Sequence, residues 1–456
     1  MFLRASTLFL TAAAFLFAAP DQLLNRAPNP RVQKIIEQIS ADRIAEIQKK
    51  LETFGTRNIY SATDDLNHGV GAAREWIAAQ FRSYSPKLQV SFDKHRLKGD
   101  PKQRLFKDVE IWNVVAVLPG TGDPDRNVMV TGHYDTINLT YKQGPAGQRE
   151  LDPEGTAAAI APGVTDDGSG TAAVMELARV MSQYQFRKTV VFVAFAAEEY
   201  GLYGSGMYAE KAAEKHQVIE GVFNNDIIGS DVTGNGETSN RYVDVYSEEP
   251  NDSGSRQLAR YMREMNARYQ PGFDVNLIFR HDRFGRGGDH SPFNAAGYAA
   301  IRITTPMENF SHQHTATDTF ANTAPAYTAL VTKADAAGLA TLAMAPRTPD
   351  IRTAPPTEGR SFASPLGRGA GYDAVLTWQG DSSDTDLAGY AVVMRKTTSP
   401  VWEKEIFVGN VTKYTLPNVN IDEVVLGVKA VDKEGNESLV AAYVTPPYKQ
   451  KKIETY

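Results

Sequence analysis

Apolar residues recur along the chain with two periods, and the changes between them mark its elements. From Arg31 the run VQKIIEQISADRIAEIQKKLETF places Val32, Ile35, Ile36 and Ile39, then Ile44, Ile47 and Leu51, at helical spacing. Ser40 falls between the two sets and suits an N-cap, so the run predicts two helices. Residues 71–84 predict a third amphipathic helix, and 170–184, 206–215, 255–269 and 325–345 predict four more. Residues 190–197 differ: they are continuously apolar, β-branched or aromatic, as expected of a parallel strand buried on both faces. Further strands are predicted over 88–92, 109–118, 128–131, 218–228 and 297–304. This alternation of strands with helices predicts an α/β fold. Residues 137–161 form a long connection containing Gly and Pro, expected to be a substrate-facing loop.

The texture changes near the end. Residues 347–371 are rich in Pro, Arg, Ser, Thr and Gly without periodicity, which predicts a linker between a unit over 31–346 and another over 372–447. The second unit carries short runs (AVLTWQG, AGYAVVMRK, EIFVGN, KYTL, EVVLGVKAVD, LVAAYV) separated by turns. They predict a C-terminal all-β sandwich. Trp378, the AGYAVVMRK strand and VKAVDKEGNES resemble a fibronectin type III module.

Composition narrows the function classes. The chain has 456 residues, with 42% hydrophobic and 22% charged, and a formal net charge of -6. No basic run tracks phosphates, so nucleic acid is not an expected partner. Residues 1–20 place Arg4 before an uncharged apolar core over 8–17, the pattern of an export signal. That core is shorter than the ~20 apolar residues a membrane span needs. The expectation is an exported protein, periplasmic or extracellular. With no Cys, neither disulfides nor a catalytic thiolate are available.

Candidate chemistry gathers where predicted strands end. His133 and Asp135 stand one residue apart after VMVTG, so both can face one side. Asp166 and Asp167 precede a helix in DDGSG, which alone would read as a turn and cap. Glu198 and Glu199 end the most apolar strand, and burying two carboxylates without a partner is costly. Adjacent carboxylates diverge, so one can hold a metal while the other accepts a proton from water. Asp226 ends a further strand, and His314 lies in SHQHTATDT. These donors suit Zn²⁺, with Mn²⁺ or Co²⁺ able to substitute. Taken as His133, Asp166, Glu199, Asp226 and His314, the five ligands exceed what one open catalytic zinc takes, and two ions sharing a carboxylate fit the count.

In order, GHYDT, PGVTDDGSGTAAVMELAR, FVAFAAEEYGLYGS, NND, GGDHSPFNAAGYAAI and HTATDT resemble the co-catalytic di-zinc exopeptidases, especially the secreted bacterial zinc aminopeptidases. The resemblance implies a mixed, mostly parallel sheet sandwiched by helices and two Zn²⁺ ions. It implies that Asp166 bridges the ions, that His133 and Asp226 complete one, and that Glu199 and His314 complete the other. Glu198 would be the general base and Asp135 the orienter of His133. Asp289 and His290 match a segment that shapes the site wall, for substrate contact or support. Peptide or protein N-termini are the implied substrates.

Two other readings remain within view. A carboxypeptidase of the same family would need cations for a C-terminal carboxylate, with Arg283, Arg286 and Arg302 as candidates. A catalytically inactive peptidase-like binding protein would have lost the base or a ligand, and all are present. Glycan or protein contact is open to the C-terminal module.

Overall fold

The computed structural model describes residues 27–351, 366–369 and 371–444. The leader read in residues 1–20 and most of the expected linker lie outside the described residues. Helices α1 (Pro30–Glu37), α2 (Ala41–Glu52) and α3 (Gly69–Tyr84) come first, and the Ser40 hydroxyl accepts from the Arg43 amide as the cap between α1 and α2. Strands β1 (Gln89–Leu97), β2 (Val109–Leu118) and β3 (Asp123–His133) follow. The connection over 137–161 is less irregular than its composition suggests. It holds a hairpin, β4 (Tyr141–Gln143) with β5 (Arg149–Leu151), and a short helix α4 (Pro153–Ala158). Next come α5 (Gly168–Met181), β6 (Lys188–Phe195), α6 (Tyr203–Glu214), β7 (Val218–Asn225) and β8 (Tyr242–Ser247). The unit closes with α7 (Gly254–Tyr269), β9 (Asp274–Ile278), α8 (His290–Ala295), β10 (Ala300–Thr304) and α9 (Pro325–Met344).

The eight long strands form one sheet in the order β1-β2-β6-β3-β7-β10-β8-β9. Strands β6, β3, β7 and β10 are neighbours and parallel, as are β8 and β9; the remaining pairings are antiparallel. Strand β6 shows why the centre is so apolar. Val190, Phe192 and Ala194 pack into the large core shared with α2, α3, α5, α7 and α9, while Val191, Val193 and Phe195 pack on the opposite face with Ala209 and Phe293 of α6 and α8. Every residue of β6 is buried. Strands β8 and β9 and helix α8 escaped the sequence reading. Each has only five or six residues, and β8 alternates buried with half-buried positions near the sheet edge.

The C-terminal unit is an all-β sandwich of two antiparallel sheets. One joins β11 (Leu366–Arg368), β12 (Ala374–Thr377) and β15 (Lys413–Leu416); the other joins β14 (Lys404–Gly409), β13 (Leu387–Lys396), β16 (Val424–Asp432) and β17 (Ala441–Tyr443). Strand β11 corrects the boundary read from composition, since it pairs with β12 inside the stretch expected to be linker. Gly367 and Arg368 bear little apolar surface, so an edge strand there leaves no hydrophobic trace.

The sandwich is docked by buried charge. Lys429 lies 3.0 Å from Glu264 of α7 and 2.9 Å from Glu405, and also pairs with Glu437. Arg268 of α7 reaches Glu437 at 2.5 Å, and the Tyr261 hydroxyl donates to the Glu437 carbonyl at 2.9 Å. Asn29 donates to Asn436 at 3.1 Å, and Arg187 contacts Asp384 at 2.5 Å.

A chain ended after Asp350 uncovers the α7 face bearing Tyr261, Glu264 and Arg268. Its melting midpoint, followed by circular dichroism, is expected to fall, at roughly 2–4 °C per kcal/mol of lost docking. An unchanged midpoint would show that docking adds nothing. Acid tests the same contact. Burial alone would raise the Glu437 carboxyl, but Lys429 and Arg268 hold it at about 2, below the ordinary 4.5. A depressed carboxyl stabilises the folded state above its unfolded value and loses that contribution as pH falls toward the folded one. Fluorescence of Trp402, which bonds Gln257 of α7, should therefore report loosening between pH 4.5 and about 2. The same transition in Glu437→Gln would remove Glu437 as its cause.

Candidate metal centre

The parallel strands deliver their polar groups to one edge of the sheet, where open α/β sheets take ligands. His133 is the last residue of β3, Glu198 and Glu199 follow the end of β6, and Asp226 follows β7. Asp166 stands two residues before α5, and His314 comes from the connection between β10 and α9. The turns that aim these groups are strained. Ala197, Ile227 and His314 have φ of 63°, 62° and 55°, a left-handed backbone that side-chain-bearing residues seldom adopt. Each flanks or is one of the six residues that meet here.

The donors converge tightly. His133 Nε2 lies 3.2 Å from Asp166 Oδ1, 3.8 Å from Asp226 Oδ1 and 3.9 Å from Glu198 Oε2. His314 Nε2 lies 3.0 Å from Asp166 Oδ2 and 3.1 Å from Glu199 Oε1. Asp166 thus turns one oxygen to each imidazole. His133, Glu198 and Asp226 offer ligand atoms within 4.8 Å of one another, and so do His133, Asp166 and Glu199. His133 Nε2 and Glu199 Oε1 are buried and make no hydrogen bond despite these close approaches. Imidazole and carboxylate groups that crowd without bonding one another fit a cation placed between them, and the mixed N/O set suits zinc.

Electrostatics agrees with that fit. Burial would lower His314, but Glu199 and Asp166 lift it to about 11; His133 is raised by Glu198, Asp135, Asp166 and Asp226 against the same burial. The acidic cluster attracts positive charge strongly, and a metal entering it displaces those protons. Burial pushes the Glu198 carboxyl well above its ordinary range; His133 opposes this, while Asp226, Glu199 and Asp289 add to it. The Glu198 side chain keeps 13% of its surface exposed, against 5% for Glu199, so Glu198 faces the open side.

A second layer of groups holds these residues. The Asp135 carbonyl lies 3.1 Å from His133 Nδ1, while its carboxylate accepts from the Glu198 and Glu199 amides at 3.1 and 3.3 Å. Asp167 serves the backbone instead. It accepts from the amides of His133, Gly170 and Ile227 at 3.1, 2.8 and 3.2 Å, tying β3, α5 and the β7 exit together. Arg302, fully buried on β10, reaches Asp226 Oδ2 at 2.9 Å and the Gly287 carbonyl at 2.9 Å. Gly288 sits against this pair, since a Cβ there would come within 2.9 Å of Arg302 and 3.2 Å of Asp226.

Two supports were not legible in the sequence. Asp318 accepts from the Thr165 and Asp166 amides at 2.9 and 3.0 Å, holding the peptide that carries Asp166. The signal was its place in HTATDT, but which amide it would meet depends on a loop 152 residues away. Gln313 donates to Asp166 Oδ2 at 2.9 Å. Of the two expected wall residues, Asp289 is buried on the Glu198 side, near Ser205. Neither of its oxygens makes a well-formed hydrogen bond. His290 is fully buried with Nε2 at 3.0 Å from the His281 carbonyl, so it supports the wall from behind rather than touching a substrate.

Comparison with known proteins agrees with this geometry. Residues 113–338 match the model of peptidase family M28. Over 448 residues the chain is 36% identical to a protein of Leptosphaeria maculans described as a probable zinc metalloprotease, covering 91% of this chain and 97% of that one. It is 35% identical over 453 residues to a similarly described protein of Pyricularia oryzae, covering 90% and 84%. The fold resembles the crystal structure of the Legionella pneumophila LapA aminopeptidase, with a TM-score of 0.51 at 18% identity over 71% of this chain and 78% of that one. Together with the buried imidazole–carboxylate cluster at the strand ends, these relatives show that the chain is a zinc metallopeptidase belonging to peptidase family M28.

Proposed function

We propose that the protein is an exported aminopeptidase that hydrolyses N-terminal residues from peptides with two zinc ions. The observation that carries the two-ion reading is Asp166, whose Oδ1 faces His133 and whose Oδ2 faces His314. Asp166 would bridge the ions, His133 and Asp226 would complete one site, and Glu199 and His314 the other. When bound, the ions supply Lewis-acid polarisation of the scissile carbonyl and acidify a water. Glu198 takes the proton from that attacking water and delivers it to the leaving amine. Its greater exposure than Glu199 supports this role over that of a ligand. Asp135 and Arg302 keep His133 and Asp226 in register, as buried outer partners do in metal sites.

The charge of the rim favours an amine over a carboxylate. Each cation considered for a C-terminal carboxylate is already neutralised. Arg302 pairs with Asp226 and Asp282, Arg283 with Asp282 and Glu308 at 3.1 and 2.6 Å, and Arg286 with Glu308 at 3.3 Å. Asp289, buried on the Glu198 side, places a further acid rather than a cation behind the site, which favours a substrate α-ammonium group. Export rests on the Arg4 and 8–17 pattern. The sandwich, with Trp378 edge-on to Tyr390 at 5.5 Å in its core, suits a fibronectin type III-like module with glycan or protein contacts.

Aminoacyl p-nitroanilides and blocked peptides test the direction of attack. Release should require a free α-amine and cease with chelator, returning on addition of zinc. Chelation should also lower the melting midpoint, because buried carboxylates lose their counter-charge. Cleavage of N-blocked peptides from the C-terminus would overturn the aminopeptidase reading.

The paired glutamates separate base from ligand. Glu198→Gln should keep both metals and lose roughly 10²–10⁴-fold in kcat with little change in KM. Glu199→Gln should lose metal, read by mass spectrometry, since a charged ligand becomes a neutral, poorer one. The opposite pattern reverses the assignment.

A further inference from the structure

We infer that the C-terminal sandwich is a brace for the wall of the catalytic cleft, acting through Arg260. The wall concerned is the segment 279–289 between β9 and α8. It lies beside Asp226, because Arg302 contacts Asp226 at 2.9 Å and also holds this segment through the Gly287 carbonyl at 2.9 Å and Asp282 at 3.5 Å. Its far end is fastened to α7. Arg256 donates to the Phe279 carbonyl at 3.0 Å, and the Arg256 and Arg260 guanidinium carbons both lie 4.9 Å from the Phe279 ring centre, within cation–π reach. His281 approaches Glu248 at 3.4 Å, so the turn before α7 holds it as well.

Arg260 is where the sandwich enters. Its Nε donates to the Pro400 carbonyl of the sandwich at 2.7 Å, and its two terminal nitrogens donate to the Asn251 carbonyl and side chain at 2.9 Å each. Arg260 is 4% exposed, so in the intact fold its donors depend on these partners rather than on water. The sandwich grips the same turn twice more. Arg395, fully buried, reaches Asp252 at 2.6 Å, and the Trp402 indole donates to Gln257 at 3.2 Å, which in turn donates to Asp252 at 3.2 Å. An unbroken set of contacts therefore runs from Pro400 through Arg260 to Phe279, and from the wall through Arg302 to Asp226. Because a guanidinium is a rigid planar fork, shifting Pro400 or Asn251 moves its third contact, the ring of Phe279. The sandwich is a positioning element of the site whether or not it also binds something else.

The kinetic part of the test rests on the aminopeptidase reading; the exchange part does not. Full-length, zinc-loaded Trp402→Ala and Arg395→Met are compared with wild type by hydrogen exchange resolved by peptide and by steady-state cleavage of leucyl p-nitroanilide. Exchange should rise in 251–257 and in 279–289 while β3, β6 and β7 stay protected and zinc content holds. KM should rise several-fold, with the smaller change in kcat, since the wall shapes binding rather than the proton transfer. Arg395→Lys, which can still meet Asp252, should restore most of both. Exchange that rises over 251–257 yet leaves 279–289 and KM at wild-type values overturns the brace, as does a rise spread evenly over the whole chain. If Arg395→Met does not fold, Trp402→Ala alone decides. A rise confined to 251–257 and 279–289 in a protein that cleaves no aminoacyl substrate would sustain the brace and reject the aminopeptidase reading.

Discussion

Burying acidic groups together is the constraint on which this structure turns. Asp135, Asp166, Asp167, Glu199, Asp226 and Asp289 are all nearly inaccessible, and they crowd around two imidazoles at one edge of the sheet. Carboxylates in such a place repel one another and lose their hydration, so each needs a counter-charge or a donor. The chain supplies two kinds. Asp135 and Asp167 are answered by backbone amides at the exits of the strands, Asp318 by the Thr165 and Asp166 amides ahead of α5, and Asp226 by Arg302. Among the described residues, Asp166 and Glu199 meet imidazoles, and Asp166 the Gln313 amide, which leaves room for cations.

The same acids that could hold metal also organise the backbone. Asp167 joins amides from three separate elements, and Asp318 clamps the peptide bearing Asp166. The left-handed turn at Ile227 is held by its amide on Asp167, and the one at Ala197 by Asp135 on the following Glu198 and Glu199 amides. Local strain and buried charge are thus coupled, and the fold's hydrophobic faces on either side of β6 hold both in place.

A parallel logic governs the contact between the two units. Lys429 with Glu264, Arg268 with Glu437, and Arg395 with Asp252 are largely buried ion pairs that cross it, beside the apolar contact of Leu439. Such pairs contribute little net stability compared with apolar packing, but they are costly to break singly and so fix orientation. An interface of this kind suits a module whose angle to the catalytic unit matters.

Much of this was legible in the chain itself. Helical spacing from Val32 to Leu51, the β-branched run into Glu198 and the ordered motifs from GHYDT to HTATDT point to the elements and to the acids and imidazoles that the fold gathers, because burial leaves its mark on residue type. Short edge elements did not show: β8, β9, β11 and the β4–β5 hairpin carry too few apolar positions to be told from loop. Pairing between distant residues was equally invisible. That Arg302 serves Asp226 rather than a substrate, that His290 faces inward, and that Glu437 meets α7 are decided by three-dimensional proximity across many residues of chain. Residue type declares what a side chain can do; only tertiary packing decides which partner occupies it.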